Sequence, residues 1–208
     1  FTELSNLNFL RYNYGIYYNG SNNNTITGSP ICNSNGISGI YYGSSSNNNT
    51  ITGSPICNSN GSYGIGYYNS NNNTITGSPI CNSNSSRGIY YTSSYNNTIT
   101  GSPVCNSNGN SGIYYSGSSN NTITGSPVCN SNNNYGIYYN GSNNTIIGSP
   151  VCNSNNNYGI YYDNSYNNVI YGTLTTTGNT SSAIYNDIGI NYILKASIAE
   201  STKVTGFT

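Results

Sequence analysis

A phrase of 23–25 residues recurs through most of the chain, and its period limits the fold before any other property is weighed. The block Gly-Ile-Tyr-Tyr stands at 15–18, 39–42, 88–91, 112–115, 136–139 and 159–162, with Gly64-Ile65-Gly66-Tyr67 as a variant. Its isoleucines fall at 16, 40, 65, 89, 113, 137 and 160, so the spacing is 24, 25, 24, 24, 24 and 23. Thr-Ile-Thr-Gly follows at 25–28, 50–53, 74–77, 98–101 and 122–125. It degrades to Thr145-Ile146-Ile147-Gly148 and then to Val169-Ile170-Tyr171-Gly172. Ser-Pro-Ile/Val-Cys comes next, placing cysteines at Cys32, Cys57, Cys81, Cys105, Cys129 and Cys152.

Each copy therefore holds three short β-rich segments separated by Asn, Ser and Gly turns. None has the length or periodicity of a helix. A strand this short cannot bury itself, but stacked on its copies in neighbouring repeats it can build a parallel sheet. The expected fold is all-β: a parallel β-helix (β-solenoid) with three strands per coil and seven coils. At one strand spacing per coil, ~4.8 Å, the rod is roughly 30 Å long. Residues 1–12 are expected to form an N-terminal cap or first partial coil, and 13–172 the β-helix repeats. Residues 173–208 leave the repeat and are expected to form a β-rich C-terminal cap or assembly segment. The chain opens at Phe1 with no secretory leader, so a processed start is expected.

Period-two alternation predicts which side chains face in. In Gly-Ile-Tyr-Tyr the Ile and the last Tyr point inward and the first Tyr outward. The variant coil agrees, since Gly66 replaces an outward Tyr while Tyr67 keeps the inward place. In Thr-Ile-Thr the Ile points in and both Thr point out. In Pro-Ile/Val-Cys the branched residue is expected inside, leaving Pro and Cys outside. Asn tolerates left-handed backbone and caps turns, and stacked amides form ladders. Asn33, Asn58, Asn82, Asn106, Asn130 and Asn153 are candidates for one such column.

Charge excludes several function classes. There are four basic and four acidic residues and no His, Met or Trp, and between Tyr12 and Tyr162 the one charged side chain is Arg87. A basic footprint for nucleic acid is missing. So are a polybasic membrane anchor and an apolar run of membrane-spanning length. Polysaccharide-cleaving β-helices need paired carboxylates or carboxylate-held calcium, whereas Glu3, Asp163, Asp187 and Glu200 are scattered. Without His, the Ser-His and Cys-His nucleophile systems are unavailable. The expectation is a protein that is not an enzyme and carries no cofactor. Cysteines spaced 23–25 apart lack the pairing of structural zinc sites, so no metal is expected either.

Residues 112–132, "GIYYSGSSNNTITGSPVCNSN", resemble the parallel β-helix repeat of the NosD-type periplasmic copper-binding family and of large secreted archaeal surface proteins. The resemblance covers roughly residues 12–172 and implies a right-handed parallel β-helix. It implies little about activity, because this repeat is widely reused. The chain departs from the usual phrase in placing Tyr for Leu, Ser for Asn before Pro, and Cys for Ser. The absence of His and Met speaks against copper handling of the NosD type.

Four files of side chains are candidate functional surfaces. The cysteines have three open uses: buried thiols acting as small hydrophobes, disulfides between adjacent coils such as Cys32 with Cys57, or disulfides between chains. Their expected outward placement favours the last. Thr25, Thr27, Thr50, Thr52, Thr74, Thr76, Thr98, Thr100, Thr122 and Thr124 form two parallel files of the kind that ice-binding β-solenoids display. Tyr17, Tyr41, Tyr90, Tyr114, Tyr138 and Tyr161 form an outward aromatic file suited to assembly or to stacking on glycans. Asn23, Asn48, Asn72, Asn96, Asn120 and Asn143 sit in Asn-X-Thr acceptors and are candidate glycosylation sites. The reading that unites these files is an extracellular or cell-surface structural protein. It assembles with itself laterally and end to end into a filament, sheath or surface layer. Ice binding and glycan adhesion are the alternatives.

Overall fold

A computed structural model describes residues 3–4, 7–187, 189–194, 198–199 and 204–205. Among the described residues every strand pairing is parallel, and each strand lies beside its counterpart one repeat away. Among the described residues the first sheet has nine strands: Glu3–Leu4, Thr25–Ile26, Thr50–Ile51, Thr74–Ile75, Thr98–Ile99, Thr122–Ile123, Thr145–Ile147, Val169–Tyr171 and Tyr192–Leu194. We call it the threonine sheet. The second, the tyrosine sheet, also has nine among the described residues: Tyr14–Asn19, Ser38–Gly43, Tyr63–Tyr68, Arg87–Thr92, Ser111–Ser116, Tyr135–Asn140, Tyr158–Tyr162, Ser182–Asn186 and Val204–Thr205. The third side is a line of single bridges from Asn8–Ile31 through Ile56, Ile80, Val104, Val128 and Val151 to Thr175. It is continued by the pairing of Leu174–Thr175 with Ile198–Ala199. This is the expected β-solenoid.

Register is kept because like sits on like. Ile113 pairs with Ile89 and Ile137, and Tyr114 with Tyr90 and Tyr138. The break in sequence repeat at 173 is not a break in the fold. Ile184 pairs with Ile160, Ile193 with Ile170 and Val204 with Ile184, so the described strands of the C-terminal segment extend the same sheets. At the other end, Glu3–Leu4 and Asn8 pair with the first full coil, as a partial coil would. Residues 1–2, 5–6, 188, 195–197, 200–203 and 206–208 of these expected end segments lie outside the described residues.

The interior is built from columns. Both isoleucine columns are buried, from Ile16 to Ile184 in the tyrosine sheet and from Ile26 to Ile170 in the threonine sheet. Beside them the last Tyr of each block forms an internal stack through Tyr18, Tyr42, Tyr67, Tyr91, Tyr115, Tyr139 and Tyr162. Neighbouring rings along it are 4.7–5.4 Å apart, with interplanar angles of 1–13°. Tyr67 holds its place in the variant coil, as alternation predicts.

The third side corrects the expected orientation. Pro30, Pro55, Pro79, Pro103, Pro127 and Pro150 are buried, the Ile or Val that follows is half-buried, and all six cysteines are 0 % exposed. Pro and Cys therefore point in, and the branched residue lies on the outer side. The reason is the glycine of Gly-Ile-Tyr-Tyr, which faces the cysteine of its own coil. A Cβ on Gly39 would lie 2.8 Å from the Cys57 Cβ, and one on Gly112 would lie 2.7 Å from the Cys129 Cβ. The thiol fills the space that the missing side chain leaves, and Thr176 faces Gly159 in the coil where the cysteine column ends.

Corners and polar columns complete the coil. The acceptor Asn at 23, 48, 72, 96, 120 and 143 and the Ser at 34, 59, 83, 107, 131 and 154 are left-handed, with φ of 55–58°. The expected Asn33 column is a ladder in which Asn58, Asn82, Asn106, Asn130 and Asn153 each donate a backbone N–H to the preceding side-chain Oδ1, at 2.7–2.8 Å. Two further ladders, which the sequence analysis missed, lie fully inside. One runs through Asn24, Asn49, Asn73, Asn97, Asn121, Asn144 and Asn168, the other through Asn35, Asn60, Asn84, Asn108, Asn132, Asn155 and Asn179. In both, the amide Nδ2 and the backbone N–H of one coil donate to the Oδ1 of the next, as Asn84 does to Asn108 at 3.1 and 3.0 Å.

Candidate functional site

The outer side of the tyrosine sheet gathers the most chemistry. Each strand from Tyr14–Asn19 to Tyr158–Tyr162 presents two outward positions, one before the Gly and one after the Ile. The second carries the expected file, Tyr17, Tyr41, Tyr90, Tyr114, Tyr138 and Tyr161, interrupted at Gly66 and continued by Tyr185. The first adds Tyr14, Tyr63, Tyr135 and Tyr158, which sequence reasoning overlooked. The signal was the residue two before each Ile: Tyr at four coils, Ser38, Ser111 and Ser182 at three, and Arg87 at one.

These rings lean on one another. Tyr14 stacks on Tyr17 at 4.6 Å, Tyr114 on Tyr138 at 4.1 Å and Tyr158 on Tyr185 at 4.8 Å. Tyr63 leans on Tyr90 at 4.7 Å across the place Gly66 leaves open. Because many ring faces are taken by a neighbouring ring, the surface shows ring edges and hydroxyl tips. That suits packing against another protein surface better than stacking beneath a sugar ring. Tyr17 is 49 % exposed, whereas Tyr138 is 6 % exposed because Tyr114, Tyr135 and Tyr161 crowd it.

Charge enters this face at its edges. The Arg87 guanidinium carbon lies 4.6 Å from the Tyr90 ring centre and 4.1 Å from that of Tyr114. The Tyr138 hydroxyl donates to the Asp163 carboxylate, and the Tyr185 hydroxyl donates to Asp187 at 3.3 Å. Burial and neighbouring tyrosines push the Tyr41 phenol up to about 12. Burial and the Asp163 carboxylate raise Tyr138 as well. Tyr41 and Tyr138 are therefore neutral phenols throughout the physiological range.

The cysteines form no outward column. They are free and buried, and burial pushes the thiols of Cys57, Cys81, Cys105 and Cys129 well above the ordinary value. At Cys152 the hydrogen bond with Cys129 is the larger cause and burial the second. A neutral thiol sealed in the core cannot cross-link neighbouring rods, so the expected route to covalent assembly is closed in the folded coil.

The threonine files do lie on the threonine sheet's outer side. Thr52, Thr76, Thr100 and Thr124 each donate their hydroxyl to the carbonyl of the preceding coil's Ile at 3.3–3.4 Å. The outer place of the file then becomes Ile147 and Tyr171, at 47 and 40 % exposure. The candidate glycosylation residues Asn23, Asn48, Asn72, Asn96, Asn120 and Asn143 are exposed on one corner. Their recurrence has a structural cause, since each is the left-handed corner residue of its coil.

A family model described as "Periplasmic copper-binding protein (NosD)" matches residues 2–127. No curated protein and no solved structure matches the chain. The donor set can be tested against copper. Copper takes thiolate, thioether or imidazole donors. The chain has no His and no Met, and its six thiols are sealed in the core. Among the described residues no group of three or more His, Cys, Asp or Glu could hold a metal ion. These residues do not fit a copper ion.

Proposed function

As the chain belongs to the NosD family of parallel β-helix proteins, we propose that it is an envelope or extracellular structural protein whose rods associate side by side through the tyrosine face. The observation that carries this reading is the file of tyrosines from Tyr17 to Tyr185 on one side of the rod, broken only at Gly66 and flanked by Tyr14, Tyr63, Tyr135 and Tyr158. Monomeric proteins rarely show long aromatic stripes to water, and Tyr is favoured in interfaces for its area and its polar tip. The net charge of zero removes the long-range repulsion that keeps rods apart. Association on this reading is non-covalent and involves no catalytic step and no nucleic acid. The scattered carboxylates and the lack of His and of a basic patch support both exclusions.

The test is electron microscopy and sedimentation velocity on purified protein, beside a variant carrying Tyr90→Ser, Tyr114→Ser and Tyr161→Ser. Wild type is expected to form laterally packed rods. The variant is expected to sediment as single rods with an unchanged far-ultraviolet circular dichroism spectrum. Wild type that stays as single rods at high concentration sinks the reading.

A further inference from the structure

We propose that Tyr138 is a redox-active tyrosine: a one-electron oxidant acting on the tyrosine face leaves its radical on Tyr138, and Asp163 takes the phenol proton. The site stands whether or not rods associate, because side chains of the same chain build and cover it.

The Tyr138 hydroxyl donates to the Asp163 carboxylate, which also accepts from the Asn140 Nδ2 at 3.5 Å. Tyr138 is 6 % exposed. Tyr114 stacks on it at 4.1 Å, and Tyr161 and Tyr135 stand at 5.2 and 5.3 Å. A phenol that loses an electron becomes a strong acid, so a base already in its hydrogen bond makes that loss easier. Asp163 is such a base. The oxidant gains one electron from the ring, the Tyr138 O–H bond breaks, and the proton joins an Asp163 carboxylate oxygen. The products are a neutral tyrosyl radical, a carboxylic acid and the reduced oxidant. The oxidant belongs to the class of high-potential one-electron acceptors, such as the ferryl haem of a peroxidase. The inner stack does not compete. The hydroxyls of Tyr42, Tyr67, Tyr91 and Tyr139 are buried without a hydrogen-bond partner, so no base takes their protons.

The charges on this face steer the radical to the same residue. A cation over a ring opposes removal of an electron from it. Arg87 lies 4.6 Å from the Tyr90 ring centre and 4.1 Å from that of Tyr114, so a radical is disfavoured on those two rings. Beyond them, the carboxylate at Tyr138 has the opposite sign. Tyr185 also has a carboxylate partner, Asp187, but that hydrogen bond is longer, at 3.3 Å, and lies in solvent. A radical there is open to quenching, whereas one on Tyr138 is covered. Contact with the oxidant is made through the half-buried rings around it. Tyr161 stands 5.3 Å from Tyr185, and Tyr158 stacks on Tyr185 at 4.8 Å. An electron leaving Tyr138 can therefore pass ring to ring to the surface.

The test uses photogenerated tris(bipyridine)ruthenium(III) as oxidant and electron paramagnetic resonance on freeze-quenched samples. Wild type, Tyr138→Phe, Asp163→Asn and Tyr41→Phe are compared, with circular dichroism to confirm folding. Wild type is expected to hold a long-lived tyrosyl signal. Tyr41→Phe, which alters a ring elsewhere in the same file, is expected to keep it, and Tyr138→Phe to lose it. A positioned base speeds proton transfer by about a hundredfold or more. In Asp163→Asn other rings therefore lose the electron first, and the long-lived signal is expected to fall to less than about a tenth of that of wild type. A long-lived signal that survives Tyr138→Phe or Asp163→Asn unchanged overturns the proposal. So does its absence from wild type, or its loss in Tyr41→Phe. Lateral association is read separately, by sedimentation, and stands or falls on its own.

Discussion

The cysteine shows how a neighbour decides a residue's role. Cys105 stands between a half-buried Val104 and a half-buried Asn106, in a stretch with no strand longer than a single bridge. What turns it inward is Gly88, where a Cβ would come within 2.7 Å of the Cys105 Cβ. Position by position, the coil needs a small, weakly polar side chain there, and a thiol behaves as one. Thiolate is the reactive form; all six thiols are buried, and those of Cys57, Cys81, Cys105, Cys129 and Cys152 are held protonated. A thiol reagent such as DTNB is therefore expected to label almost none of the six cysteines in native protein and all six after denaturation. Fast labelling of several thiols under native conditions would contradict the inward placement.

At the level of the element, the strands are too short to hold a coil by themselves, and the amide ladders do much of the joining. Asn108 accepts from the backbone N–H and Nδ2 of Asn84 and donates through its own to Asn132. Asn108→Ala leaves two buried donors of Asn84 and the Asn132 Oδ1 short of partners. At about 1–3 kcal/mol for each buried polar group left unmatched, the substitution is expected to cost several kcal/mol in urea unfolding. Asn106 belongs to the partly buried ladder, where water can replace the lost partner. Asn106→Ala is expected to cost no more than about 1.5 kcal/mol. Equal losses at the two positions would mean that burial does not set the value of a ladder. The inner ladders also run opposite to the Asn33 ladder: inner donors point to the following coil, outer donors to the preceding one.

For the whole molecule, the core titrates in one direction only. In unfolded chain a thiol ionises near ~8.5, whereas the thiols of Cys57, Cys81, Cys105, Cys129 and Cys152 keep their protons well above that. Between those values the folded state binds more protons than the unfolded one, so stability falls as pH rises. The contribution is intact below about pH 8.5 and is lost above it at up to ~1.4 kcal/mol per pH unit for each thiol. The buried tyrosines join above about pH 10. Urea midpoints should therefore be flat from pH 6 to 8 and drop steeply from about pH 9. Midpoints unchanged to pH 11 would contradict a core of protonated thiols and phenols. Much of this molecule was legible in the sequence. The period, the parallel stacking, the inward Ile and last Tyr, and the outward first Tyr all follow from spacing and alternation, because identical coils must stack in register. The orientation of Pro-Ile/Val-Cys did not follow, since on a one-bridge side alternation has too few residues to act on, and packing against the opposite glycine decides instead. Nor was the second tyrosine file legible, or the continuation of the sheets beyond residue 172. Stacking asks only for a compatible shape at each level, so the fold tolerates a change of sequence that a search for repeats reads as an end. The sequence alone determined that the chain is a solenoid, and the tertiary structure decided which side chains the solenoid shows.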